Sequence, residues 1–306
     1  MNFGAQVNAY RTTWTEISSV IETMEAGRWD SLWFADHFVP PGPRRDEPHT
    51  AFEAFSLIAA AAGMTDRLRL GHLVLGNTYR NPALVAKMSA TIDTISGGRF
   101  VLGIGAGWFE REHQAYGWDF PSMRERSDRF EEACALIRAL FAAGGEPVDF
   151  AGRYYTLDAA PLAPGCVQDP HVPIMVGGTG ERRTLRTLAM YGDAMNVDGW
   201  AGAGMTVDLY RHKAGVLERH CADVGRDPTE IRHTILMPVF LSDDASKCAK
   251  FIERVGEGTV AGTASQVVDR VGEFMDVGVH EIMFGSPAKP AEEYQRFDDE
   301  VLSHFV

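Results

Sequence analysis

NFGAQVNAYRTTW (residues 2–14) is the stretch on which the fold turns. Residues 2–7 read as a short buried strand, and a helical pattern follows from 14 to 26. A doubly wound open sheet would place a glycine-rich phosphate turn directly after its first strand. Residues 8–14 contain no glycine. A strand-and-helix chain that lacks that turn asks for a different way of closing its sheet.

Outward from this start the alternation repeats. SLWFA (31–35) is a second strand, followed by a polar, Pro-rich loop from 36 to 50 and an Ala-rich helix over 52–64. RLRLGHLVLG (67–76) is a long third strand, and the helix over 82–95 carries Pro82 at its first position, where no N–H is missed. RFVLGIGAG (99–107), PIMVGG (173–178), DAMNVDG (193–199), HTILMPVFLS (233–242) and EIMFGS (281–286) are the remaining strands. Helices over 122–142, 181–191, 206–224, 245–255, 264–277 and 290–305 separate or close them. Eight short apolar strands alternating with helices predict a parallel sheet, and eight is the number that closes a barrel. The predicted class is α/β, a (β/α)8 TIM barrel forming one domain over 1–306. The chain is longer than the usual barrel of about 250 residues. The excess is an insertion at about 144–172, rich in Pro and Gly, that predicts a hairpin.

Composition limits the function. A formal net charge of −13 disfavours nucleic acid, whose phosphates need a basic patch. No stretch reaches the roughly 20 apolar residues of a membrane span, and the first residues lack the basic start and apolar run of a signal peptide. Cys134, Cys166, Cys221 and Cys248 form no CxxC pair or zinc spacing, so reduced thiols in a cytoplasmic protein are expected. His49, His72, His113 and His171 do not cluster, no metal site is expected, and no G-x-S-x-G elbow is present.

Sites on such barrels lie at the C-terminal ends of the strands. Gly177-Gly178-Thr179-Gly180 runs from a buried strand toward a helix, so its N–H groups and the helix dipole suit a phosphate. A turn that needs glycine only for its φ angle would read the same way. Gly103–Gly107 has the form GxGxG, which is not the dinucleotide spacing. Its glycines suit the approach of a planar ligand or close packing of strand and helix. His37, next to Asp36 at the mouth, could hydrogen-bond a cofactor edge or exchange a proton with substrate, or the pair could simply stabilise its loop. Glycines and aromatics with few nucleophiles suggest a bound cofactor that carries the chemistry.

SLWFADHF (31–38), LGNTYRNPALVAKM (75–88), DTISGGRFVLGIGAGWFEREHQAYG (93–117), IMVGGTGERRTLRTLAMYGDAMN (174–196) and VAGTASQVVDRVGEFMDVGVHEIMF (260–284) together resemble the luciferase-like superfamily, in its coenzyme F420-dependent oxidoreductase branch. The resemblance implies hydride transfer between reduced F420, a deazaflavin, and a small organic substrate. The alternative on the same scaffold is an FMNH2-dependent monooxygenase using oxygen. It implies that Asp36 and His37 stand beside the ring, with His37 catalytic. It implies a non-proline cis peptide at Leu73-Val74 in a bulge behind the ring, with Asn77 and Thr78 at the mouth. Gly105, Ala106 and Gly107 would line the ring edge, and Gly177, Gly178, Thr179 and Gly180 would hold the phosphate. A homodimer and a separate reductase supplying reduced cofactor are expected. One departure stands out. The sugar-phosphate dehydrogenases of the family place a glutamate after the fourth strand's glycines, where this chain has Trp108, with Glu110 and Glu112 further on. That substitution points to a more apolar substrate.

Overall fold

The computed structural model describes residues 1–41, 50–200, 204–256, 258–285 and 290–305. Its strands are β1 (Asn2–Gln6), β2 (Ser31–Phe34), β3 (Arg69–His72), β4 (Leu75–Gly76), β5 (Phe100–Gly105), β6 (Val148–Ala151), β7 (Thr156–Ala160), β8 (Ile174–Gly177), β9 (Ala194–Asp198), β10 (Arg232–Leu241), β11 (Val260–Gly262) and β12 (Glu281–Gly285). The helices are α1 (Trp14–Ala26), α2 (Ala54–Met64), α3 (Pro82–Ile95), α4 (Glu110–Tyr116), α5 (Met123–Ala142), α6 (Thr184–Tyr191), α7 (Val207–Val224), α8 (Ala245–Val255), α9 (Ala264–Asp276) and α10 (Ala291–Glu300).

The parallel order β12-β1-β2-β3-β5-β8-β9 is closed by β10, which pairs with both β9 and β12. With β3 and β4 as one interrupted strand, this is the eight-stranded (β/α)8 barrel. The chain stops and starts its helices with local chemistry. Thr13 and Glu16 form a capping box on α1, Asn81 accepts from the Ala83 N–H ahead of Pro82, and Gly225 ends α7 at φ 72°. The insertion contains the expected hairpin, β6 paired antiparallel with β7. All four cysteines are free. No helix among the described residues is long and apolar enough to cross a membrane.

Side chains alternate between two cores, as the period of two requires. Leu32 and Phe34, Leu102 and Ile104, and Met195 and Val197 face the helices. Trp33, Leu73, Val101, Met175, Ala194, Leu236 and Met283 fill the barrel itself. Toward the C-terminal end the inward series runs out of side chains: the next inward positions are Gly103 and Gly105 on β5, Gly177 on β8 and Gly285 on β12. This thinning positions the site.

The sequence reading and the structure differ in four places. The third strand is not continuous: it breaks between β3 and β4, where the Leu73-Val74 peptide is cis, as the family resemblance implies. Helix α4 follows the fourth barrel strand where the sequence reading has no helix, because its first-turn Glu110 and Glu112 suit the dipole and Gly117 ends it at φ 71°. The short strand β11, which the sequence reading also lacks, extends the sheet at the end of β10. Helix α6 begins at Thr184 and not at Glu181. His49 and Ser286 lie outside the described residues.

Candidate active site

The floor of the barrel mouth is built by β4, β5 and β8. A Cβ placed on Gly177 would lie 2.7 Å from Val74 Cγ1, and one on Gly105 would lie 3.1 Å from Val74 Cγ2. The two glycines therefore make room for the Val74 side chain, which lies across the inner face. Gly103 is more constrained still, since its Cβ would overlap the His72 carbonyl oxygen. Gln6, the last inward side chain of β1, donates from Nε2 to the Leu73 carbonyl at 2.9 Å and ties the bulge to β1, two strands away. The result is a low apolar ledge with little above it.

Asp36 and His37 take different directions from the end of β2. Asp36 is buried on the helix-facing side, where Arg80 donates to both of its oxygens at 2.8 and 2.9 Å and the Gly76 N–H donates at 3.1 Å. Arg80 also donates to Glu53. Burial pushes the Asp36 carboxyl above its ordinary range, and Arg80 and the Gly76 N–H pull against that rise. Asp36 thus clamps β2 to β4.

His37 stands at the mouth, its side chain 15% exposed, with Nδ1 3.0 Å from Glu112 Oε2. The Glu112 side chain is fully buried at the foot of α4. Its Oε2 also accepts the Tyr79 hydroxyl, and its Oε1 accepts the N–H groups of Phe38 and Val39. Burial acts to raise the Glu112 pKa, but the hydrogen bonds from His37, Tyr79 and Val39 bring it below the ordinary value. An ionised Glu112 requires a proton on Nδ1 of His37, which leaves Nε2 as a proton acceptor when the ring is neutral. Trp108 and Phe109 stack on each other at 4.9 Å, and each presents itself edge to face with His37 at 5.6 Å.

The β8 turn is more selective than its glycines suggest. The Gly178 N–H donates to the Asn196 carbonyl and is spent. Among the described residues, the N–H groups of Thr179 and Gly180 have no protein acceptor. Gly178 has φ 122°, a region L side chains rarely adopt, so glycine is required there by backbone shape as well. Asn77, buried beside this floor, has an Nδ2 that makes no well-formed hydrogen bond among the described residues. Thr78 receives or gives a hydrogen bond at 2.8 Å with His113 Nε2 and packs against Gly107, whose φ is 79°.

A family model described as luciferase-like monooxygenase matches residues 1–255. The chain belongs to the luciferase-like monooxygenase family. Its curated relatives include the F420-dependent glucose-6-phosphate dehydrogenase of Amycolatopsis mediterranei, 27% identical over an alignment of 308 positions that covers 89% of each chain. The protein of that name from Kineococcus radiotolerans is 39% identical over 220 residues, 71% of this chain and 61% of that one. Among solved structures, an F420-dependent secondary alcohol dehydrogenase in complex with an F420-acetone adduct superposes with a TM-score of 0.83 at 21% identity, covering 100% of this chain and 98% of that one. At that identity the likeness is one of fold.

Against this luciferase-like frame, the residues singled out in the sequence fall into three groups. Leu73, Val74, Gly105 and Gly177 form the floor. His37 and the Thr179-Gly180 turn stand at its rim. Asp36, Thr78 and Gly107 shape the rim from behind. Two contacts are not foreseen in the sequence, where Glu112 stands out only as a glutamate beyond Trp108. Glu112 is 75 positions from His37, so only tertiary structure joins them. Tyr79 lies inside the 75–88 stretch with no role assigned to it there, and its hydroxyl is the second side-chain donor to the same carboxylate.

Proposed function

We propose that this luciferase-like protein transfers a hydride between coenzyme F420 and a small organic substrate. The observation that carries the reading is the glycine-thinned floor over Val74 next to a histidine whose tautomer is set by a buried carboxylate. The residues fit a planar ring with a hydrogen-bonding edge and a phosphate. Leu73 and Val74 would lie beneath the ring, with Asn77, Gly105, Ala106 and Gly107 along its edge and Thr78 bracing that edge from behind. Gly177 and Gly178 would shape the phosphate turn, and the N–H groups of Thr179 and Gly180 would hold the anion. The Nδ2 of Asn77, which makes no well-formed hydrogen bond among the described residues, supplies a donor for the ring edge.

Bound F420 supplies or accepts the hydride. His37, held by Glu112, takes a proton at Nε2 from a substrate hydroxyl in oxidation and returns one in reduction. Trp108 and Phe109 shield that exchange from water. Asp36 acts at one remove, through Arg80 and the Gly76 N–H, to hold the ends of β2 and β4 together. The proposal takes residues 1–306 as one barrel domain in a cytoplasmic homodimer, served by a separate reductase.

The test is a calorimetric titration with F420 and with FMN, followed by mixing the reduced complex with oxygen. Tight binding of F420 and slow reaction of its reduced complex with oxygen are expected. Preference for FMN, with rapid consumption of oxygen, would move the protein to the monooxygenase reading.

A further inference from the structure

Asp198 ends β9 on the same face as Ala194 and Asn196. That face points into the barrel: Ala194 packs with Trp33, Met175 and Met283, and Asn196 Nδ2 reaches Thr234 Oγ1 at 2.9 Å. By the period of two, Asp198 is the uppermost inward side chain of β9, level with the glycine-thinned rim. Oδ1 accepts the Trp200 N–H at 2.8 Å. Among the described residues Oδ2 takes no hydrogen bond. The carboxyl is screened from water enough for burial to push its pKa up, and it feels the charge of His37 across the mouth. Two exposed tryptophans stand at the rim. Trp108 borders His37, and the Trp200 indole sits over the end of β12, where a Cβ on Gly285 would lie 2.8 Å from Nε1. Among the described residues, Arg80 behind the floor is already bound to Asp36 and Glu53.

We propose that Asp198 faces the substrate and makes the mouth a site for organic molecules that are cationic or neutral hydrogen-bond donors, closed to phosphorylated or carboxylated ones. The inference rests on the hydride-transfer reading for the identity of the mouth as the substrate site. A free carboxylate oxygen accepts from an ammonium or hydroxyl group and repels an anion, and partial burial magnifies both effects. The two tryptophan faces add a surface for an apolar or cationic body. A charge at the rim would select against a sugar phosphate, the substrate named for the curated relatives.

The experiment uses three 1-phenylethanols that differ in the para substituent: aminomethyl, methyl and carboxylate. Binding to the purified protein is followed by intrinsic tryptophan fluorescence, without any cofactor, and then by turnover with F420. The order aminomethyl, methyl, carboxylate is expected, from tightest to weakest. Asp198→Asn should cut the ammonium-to-carboxylate affinity ratio about tenfold. Equal affinity of the wild-type protein for the ammonium and carboxylate compounds, or an unchanged ratio in Asp198→Asn, would overturn the proposal. The wild-type comparison decides the matter even where the variant does not fold. Failure of F420 to bind or turn over would sink the hydride-transfer reading and leave the cofactor-free binding order as the separate test of Asp198.

Discussion

His37 rests on a carboxylate that is itself saturated with donors, so changes at the two residues separate in their effects. His37→Ala removes the proton acceptor and is expected to lower turnover by about 10²–10⁴-fold, the usual range for general acid–base groups. Glu112→Gln keeps the shape but frees the imidazole to adopt either tautomer, and turnover should fall roughly 10- to 100-fold with a displaced pH profile. Steady-state kinetics over a range of pH, at saturating cofactor, check both. His72 offers a test that concerns stability alone. It is fully buried between Phe55 and Phe100, neither ring nitrogen has a hydrogen bond, and burial holds its pKa well below the ordinary value. The folded protein thus keeps His72 neutral while the unfolded chain binds a proton below about pH 6.5. Stability contributed by this group is present above that pH and declines as pH falls, by up to about 1.4 kcal/mol per pH unit. Urea unfolding of His72→Leu at pH 7 and pH 5 should show a smaller loss on acidification than the wild type; an identical loss would contradict the assignment. At this scale the sequence disclosed Asp36 and His37 as a pair at a strand end. Their divergence was hidden, since neighbours in a strand face opposite sides and only the completed sheet shows which side each takes.

The interrupted third strand is the element that gives the mouth its shape. Val74 crosses the inner face because β5 and β8 present glycines to it, and this can be broken from either side. Gly177→Ala should destabilise the protein by about 1–3 kcal/mol, the range for overpacking, because its methyl group would meet Val74. Val74→Ala in the same chain should recover part of that loss, and a double-mutant cycle by urea unfolding reads the coupling. Additive losses would show that the two side chains do not compete. The phosphate turn calls for another approach. Any side chain at Gly178 would strain a backbone at φ 122°, so substitution there mixes stability with binding. Comparing F420 with its phosphate-free deazaflavin alcohol leaves the protein untouched, and a loss of affinity of about tenfold or more is expected if Thr179 and Gly180 hold the anion. Strand and helix periodicity disclosed nearly all these elements. It missed α4, a single short helix inside a segment whose glycine and aromatic pattern read as a strand-end loop. It set the start of α6 early, because the three residues after Gly180 turn without forming helix.

The whole barrel explains why the glycines of this chain first read in two ways. GxGxG at the fourth barrel strand and GGTG at β8 suit a ligand and suit close packing, and the structure shows the packing duty directly. Gly103, Gly105 and Gly177 accommodate the bulge, while Thr179 and Gly180 keep free donors at the rim. Closure of the sheet brings together residues from β1, β2, β4, β5, β8 and β9, which are scattered between Asn2 and Asp198, and no local pattern could have announced that meeting. The acidic overall charge, by contrast, was legible from composition, and Asp198 carries it into the mouth. The most direct measurement is a crystal structure of the protein grown with oxidised F420. The deazaflavin ring is expected in van der Waals contact with Val74, over Gly105 and Gly177, with its phosphate on the N–H groups of Thr179 and Gly180 and His37 Nε2 facing the space above the ring. A ring bound elsewhere, or a phosphate away from the β8 turn, would contradict the assignment of this mouth as the site of hydride transfer.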